Sequence, residues 1–91
     1  MPKTIHRPEY TLLVDLVRAM RLEAGLTQSE VADRLGVTQS NVSDVERGSR
    51  RLDVIELRDL ARICGTSLPD VVAELEARVR KKRIPHETKG R

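Results

Sequence analysis

The chain has 91 residues, of which 38% are hydrophobic and 34% charged, and this balance is typical of one small soluble domain rather than of a disordered chain. Tyr10 is the only aromatic residue, so the core must be aliphatic, and proteins that stack single-stranded bases on aromatic rings are disfavoured. The net charge is +3, but it is unevenly distributed. Residues 78–91 carry seven basic side chains and one acidic one, whereas residues 1–77 carry ten basic and thirteen acidic ones. Residues 1–77 are therefore not basic overall, and anion binding by them needs a local patch of positive charge.

The first two predicted helices are bounded by capping residues. The first should run from about Pro8 to Ala24, because proline suits a first helical turn and Gly25 can adopt the left-handed conformation that ends a helix. Its apolar residues recur at helical spacing. The second begins after Thr27, in the capping box TQSE, and ends at Gly36 after about two turns.

Three further helices follow by the same signals. The third begins after Thr38, in a second TQS, and ends at Gly48. The fourth begins at the capping box DVIE and ends at Gly65. The fifth has Ser67 as its cap and an apolar stripe that reaches Val79. The sequence contains no strand pattern.

These elements predict an all-α fold, a compact five-helix domain over residues 8–79 followed by a basic, flexible tail over residues 80–91. Three roles are open for the tail. It is a solvated end, an arm that adds non-specific affinity for DNA, or a segment that folds on a partner protein.

The two short helices that begin with TQS predict a helix-turn-helix, since they are joined at a glycine. In this motif the first helix crosses the DNA backbone, and the second lies in the major groove with its N-terminal residues at the base edges. The N–H groups of a helix N-terminus suit phosphate, and Gln, Ser and Asn suit base edges. Both TQS segments would therefore face the same duplex.

Residues 12–75 resemble the phage-repressor and Cro type of helix-turn-helix, the XRE-like family, whose fold is lambda-repressor-like. The resemblance lies in LEAGLTQSEVADRLGVTQSNVSDVERG and in LRDLARICGTSLPDV, which combine the capped start, the turn glycine and the ERG end in register. It implies a sequence-specific regulator of transcription that binds double-stranded DNA, a dimeric repressor reading a pseudo-palindromic operator through the helix at about 38–47.

The resemblance also implies roles for individual residues. The side chains facing base edges would be Gln39, Ser40, and Ser43 or Asp44, with Gln39 suited to a bidentate adenine contact. Those contacting phosphate would be Gln28, Asn41, Arg47, Ser49, Arg50 and Arg51. Gln28 would also brace Gln39, and Arg21 and Glu46 would form a partly buried ion pair. Asp44 departs from expectation, since an acid on this helix could accept from cytosine but repels phosphate.

One such domain reads only a few base pairs, so useful affinity needs a dimer whose half-sites lie about one helical turn, ~34 Å, apart. The fifth helix would supply the dimer surface. Val72 and Val79 are the predicted interface residues, because Leu68, Val71 and Leu75 are needed for the core. The alternative function is an antitoxin or partner-binding module, with a protein bound to the fifth helix or the tail and DNA binding serving autoregulation.

No residue pattern indicates an enzyme, a cofactor or a metal site. Cys64 stands alone, so it cannot form an internal disulfide and is expected to fill the core, while His6 and His86 have no companion ligands. We expect no signal peptide, and no apolar run approaches the ~20 residues of a membrane helix. The expected location is the cytoplasm, in association with a bacterial or phage-like nucleoid.

Overall fold

The computed structural model describes residues 7–82, which form five α-helices and no strand. The helices are α1 (Pro8–Glu23), α2 (Gln28–Leu35), α3 (Gln39–Arg47), α4 (Val54–Ile63) and α5 (Leu68–Lys82). This architecture confirms the predicted all-α, five-helix fold. None of these described helices combines the length and the apolarity that crossing a bilayer requires. The predictions for residues 83–91 and for the two histidines lie outside the described residues.

The two helices of the motif begin at the predicted caps. The Thr27 hydroxyl accepts the N–H of Glu30 at 3.0 Å, and the Glu30 carboxylate accepts the N–H of Thr27 at 2.8 Å. Thr38 accepts the N–H of Asn41 at 3.2 Å and so opens α3 in the same way. Gly36 ends α2 with a φ of 76°, a left-handed conformation that costs least for glycine. Local chemistry therefore fixes the turn that sets α3 against α2.

The core is aliphatic and draws on every helix. Its buried members are Leu16, Val17, Met20, Val31, Ala32, Val42, Val45, Leu57, Leu60, Ala61 and Val71. Helices α1 and α2 pack against the inner side of α3, and α2 also packs on α4. The inner face of α3 is thereby held by Val42 and Val45, and its first turn is left at the surface.

Helix α5 differs from the prediction in two respects. It continues through Lys82, whereas we placed residues 80–82 in the tail; Arg and Lys are good helix formers and their charges suit a helix C-terminus. Val79 is only 7% exposed, so its side chain is already covered within this chain and is not available to a second copy. The predicted dimer surface therefore loses Val79, while Val72, at 44% exposed, remains accessible.

Candidate nucleic-acid interface

The two TQS segments lie side by side at the surface, in the first turns of α2 and α3. Gln39 and Ser40 are exposed, and Gln28 and Asn41 are half-buried. Gln39 Nε2 donates a hydrogen bond to Gln28 Oε1 at 2.8 Å, so the two helix starts are joined through the same residue of each triplet.

Behind Gln28, the hydrogen bonds continue to a buried ion pair. Gln28 Nε2 donates to Glu46 Oε1 at 3.0 Å. Arg21 donates to both oxygens of Glu46, from Nε at 2.6 Å and from Nη2 at 2.9 Å, and its Nη1 donates to the Leu26 carbonyl at 2.9 Å. The side chains of Arg21 and Glu46 are only 10% and 4% exposed. This hydrogen-bond network, Arg21–Glu46–Gln28–Gln39, thus ties the end of α1 and the end of α3 to the surface.

Both members of the ion pair are charged. Burial pushes the pKa of Glu46 upward, but the hydrogen bonds from Arg21 and Gln28 and the charge of Arg21 outweigh burial, so this pKa lies below its ordinary value. The hydrogen bond to Glu46 raises the pKa of Arg21. The ionised carboxylate of Glu46 can only accept hydrogen bonds, which fixes the amide of Gln28 with its NH₂ inward and its oxygen toward Gln39. Gln39 therefore keeps its own oxygen and one N–H for another partner.

The rest of the surface face of α3 forms a second group. Arg47 Nη1 donates to Ser43 Oγ at 2.8 Å, and Arg47 Nη2 forms an ion pair with Asp44 one turn earlier. The Arg47 side chain is 64% exposed. A cation therefore stands beside Asp44, which lessens the repulsion between that carboxylate and a phosphate.

The loop that joins α3 to α4 is attached to α1 by Tyr10. The Tyr10 hydroxyl accepts the N–H of Leu52 at 3.0 Å and donates to the Arg50 carbonyl at 3.4 Å. The guanidinium of Arg51 lies 5.2 Å from the centre of the Tyr10 ring. The sequence analysis did not place Tyr10 beside the candidate site. The available signal was that Tyr10 is the only aromatic residue of the chain, although the aliphatic core needs none.

The basic side chains of this loop already have partners. Arg50 Nη2 donates to Glu56 Oε2 at 3.1 Å and Arg50 Nη1 donates to the Arg51 carbonyl at 3.0 Å. Ser49 Oγ donates to the Asp44 carbonyl at 3.2 Å, which joins the loop to the end of α3. A phosphate that bound Arg50 would therefore have to replace Glu56 as its partner.

The structure thus places the predicted site residues in three adjoining groups and leaves two at the helix start. The groups are Arg21, Glu46, Gln28 and Gln39; Ser43, Asp44 and Arg47; and Ser49, Arg50 and Arg51 around Tyr10. Ser40 and Asn41 lie in the first turn of α3. Within residues 7–82, no cluster of His, Cys, Asp or Glu could hold a metal ion, and burial raises the pKa of the Cys64 thiol.

Comparison with known proteins shows which proteins this chain is similar to. A helix-turn-helix family model matches residues 17–71. An uncharacterised HTH-type transcriptional regulator of Sinorhizobium fredii, y4dJ, is 45% identical over 53 residues, which span 58% of this chain and 69% of the relative. Another, from Methanothermobacter thermautotrophicus, is 40% identical over 50 residues, 55% of this chain and 72% of the relative. The solved XRE-family like protein from Pseudomonas syringae pv. tomato is 49% identical, with a TM-score of 0.75 over 84% of this chain and 93% of its own.

Proposed function

Since the chain belongs to the XRE-type helix-turn-helix family of DNA-binding transcriptional regulators, we propose that it reads a specific operator in double-stranded DNA and acts there as a dimeric repressor. The observation that carries this proposal is the hydrogen-bond network that links Gln39 through Gln28 to Glu46 and Arg21. The Gln39 amide is held in one orientation through Gln28 and a buried ion pair. The start of a solvated helix does not need such bonds, which suggests that the orientation itself has a role.

Gln39 is the principal base-reading residue in this proposal. Its free oxygen can accept from the N6 amino group of adenine while its free N–H donates to N7, a bidentate contact in the major groove. Ser40 lies next to it, and Ser43 and Asp44 lie one turn further along the exposed face of α3. These residues would read the neighbouring base pairs.

The phosphate contacts flank this reading face on both sides. On one side are Gln28, at the start of α2, and Asn41, in the first turn of α3, where helix N–H groups favour an anion. On the other side are Arg47, Ser49, Arg50 and Arg51. Asp44 and Glu56 hold two of these guanidinium groups in the free protein and would release them to phosphate on binding.

Dimer formation is proposed through the exposed part of α5 around Val72, since Val79 is buried. Two copies would then present α3 to successive major grooves, about one helical turn apart. A protein bound in this way competes with others for the same stretch of DNA, and this competition is the simplest basis for repression.

The experiment that tests the function is selection of bound duplexes from a random DNA pool by the full chain. We expect a pseudo-palindrome with half-sites about one turn, ~34 Å, apart and adenine at the Gln39 position. The matched control is Arg62→Ala, an exposed change on α4 outside the candidate interface, which should select the same sequence. Enrichment of no sequence by the wild type would refute the proposal and direct attention to a protein partner.

A further inference from the structure

A cavity of about 200 Å³ lies among α1, α2, α3 and α4. Its inner walls are five aliphatic side chains, each between 0% and 5% exposed: Val17, Val31, Val42, Val45 and Leu60. An apolar cavity of about 150 Å³ in another protein is large enough to bind benzene or xenon. The space in this domain is therefore of a size that a small molecule can occupy.

The cavity follows from the composition of the core. The chain contains no Phe and no Trp, and its single Tyr is engaged with the α3–α4 loop. Four of the five inner wall residues are valines, whose short side chains reach less far than an aromatic or a leucine would.

The chemistry of the walls selects an apolar occupant. Arg21 and Glu46 are the charged groups of the wall that lie deepest, and they bond to each other, to Leu26 and to Gln28. No buried side-chain nitrogen or oxygen in the described part of the chain lacks a hydrogen-bond partner. The five inner wall side chains carry no polar atom, whereas the remaining polar residues of the lining, Asn41, Glu56 and Asp59, are less buried. An uncharged hydrocarbon group is therefore favoured over water against the inner walls.

The entrance has the same character. Leu35, Val37 and Leu52 line its less buried part together with Asn41, and Val37 is 38% exposed, so aliphatic surface continues from the inner walls toward the solvent. Glu56 and Asp59 stand at the edge of the cavity. Their carboxylates disfavour an anionic ligand such as a fatty acid.

We propose that this cavity binds a small, uncharged, apolar molecule about the size of a benzene ring, and that its occupancy changes the affinity for DNA. The second part rests on the proposed function. Val42 and Val45 place the wall on α3 itself, and Glu46, also in the wall, holds Gln28 against Gln39. An occupant thus contacts the helix that reads the bases, and the coupling between ligand and DNA must be reciprocal.

The binding site is tested without DNA by titrating the full chain with benzene and following the methyl resonances by NMR. We expect saturable shifts at the valines and the leucine of the cavity wall, together with a higher Tm. Leu57 is the internal reference, because it is buried at 8% exposed but does not line the cavity. Shifts that are absent, or as large at Leu57 as at Val42, overturn the proposal.

Filling the cavity provides the matched variants. Val42→Met and Val17→Met place a longer, flexible side chain into the space and should abolish the benzene shifts without lowering the Tm. Ala61→Met places the same side chain at a core position that is 0% exposed and does not line the cavity, and it should lower the Tm while leaving benzene binding intact. Two valines are used so that one misfolded variant does not decide the result. Benzene binding that survives both fillings overturns the assignment of the site.

The coupling is tested on DNA with and without saturating benzene. Benzene should change the affinity of the wild type for DNA. It should not change the DNA affinity of Val17→Met, whose substitution lies on α1 and not on α3. Methyl shifts without any change in DNA affinity overturn the regulatory half of the proposal. A chain that binds no DNA even without benzene refutes the proposed function instead, and the NMR titration still decides whether the cavity is a site.

Discussion

Gln39 donates a hydrogen bond to Gln28 across the turn of the motif, with 2.8 Å between Nε2 and Oε1. The bond joins a side chain proposed to read bases to one proposed to contact phosphate. Because Gln28 is in turn held by the buried Glu46, the orientation of Gln39 depends on a side chain that is itself buried.

Gln39→Ala should relax base preference at one position of each half-site. The variant loses the bidentate contact, so binding to the selected operator should weaken by about 1–3 kcal/mol while binding to a site altered at that position changes little. Competition titrations with operator variants measure this difference. Discrimination that stays as in the wild type would remove Gln39 from the base-reading set.

Glu46→Ala should lower the free energy of unfolding by about 3–5 kcal/mol, because it leaves the buried charge of Arg21 without its partner. Urea unfolding measures the change. Glu74→Ala is the matched control, since it breaks the exposed Arg78–Glu74 pair, where the side chains are 33% and 51% exposed, and should cost less than about 1 kcal/mol. Similar losses from the two changes would contradict a structural role for the buried pair.

Stability should fall on acidification partly through Glu46. The folded-state pKa of this carboxyl is depressed below its ordinary value of 4.5, so the unfolded chain takes up the proton first. The contribution is present above pH 4.5 and is lost as the pH falls through the folded-state pKa. Urea unfolding between pH 7 and pH 3 should show a shallower decline for Glu46→Gln than for the wild type. Parallel declines would contradict this assignment.

Tyr10→Phe should weaken binding to all DNA sequences alike and leave base preference unchanged. The change keeps the ring beside Arg51 but removes the hydroxyl that bonds Leu52 and Arg50, so the basic loop is less firmly positioned. Stability should drop by only about 1 kcal/mol, the usual contribution of one or two such bonds. Affinity for cognate and non-cognate duplexes measures the effect, and an altered base preference would count against a role confined to the loop.

Arg50→Ala should reduce the salt dependence of DNA binding by about one unit in the slope of log K against log salt, since one phosphate contact is lost. Affinity should fall for every sequence. The measurement is a salt titration of binding to cognate DNA, with Arg62→Ala as an exposed arginine outside the interface. If the slope of Arg50→Ala equals that of the control, Arg50 makes no phosphate contact.

Features encoded by neighbouring residues were predicted well from the sequence. The caps at Thr27 and Thr38 and the left-handed Gly36 act within one helical turn, so their sequence pattern is sufficient. The hydrogen bond from Tyr10 to the Arg50 carbonyl joins residues that are 40 positions apart, and no local sequence pattern predicts it. The burial of Val79 depends likewise on how α5 meets the rest of the chain. The cavity was beyond prediction for the same reason, since it is set by how helices α1 to α4 fit together.

The direction of the hydrogen bonds behind Gln39 has a consequence for the base preference that we propose. If the amide of Gln28 turned over, Gln39 would offer its oxygen inward and two N–H groups outward, a pattern that suits the two acceptors of guanine rather than the acceptor and donor of adenine. The negative charge of Glu46 forbids that reversal. Sites selected by Glu46→Gln should therefore admit guanine at the position where adenine is expected for the wild type. The buried side chain of residue 46 would then help to determine which base Gln39 prefers.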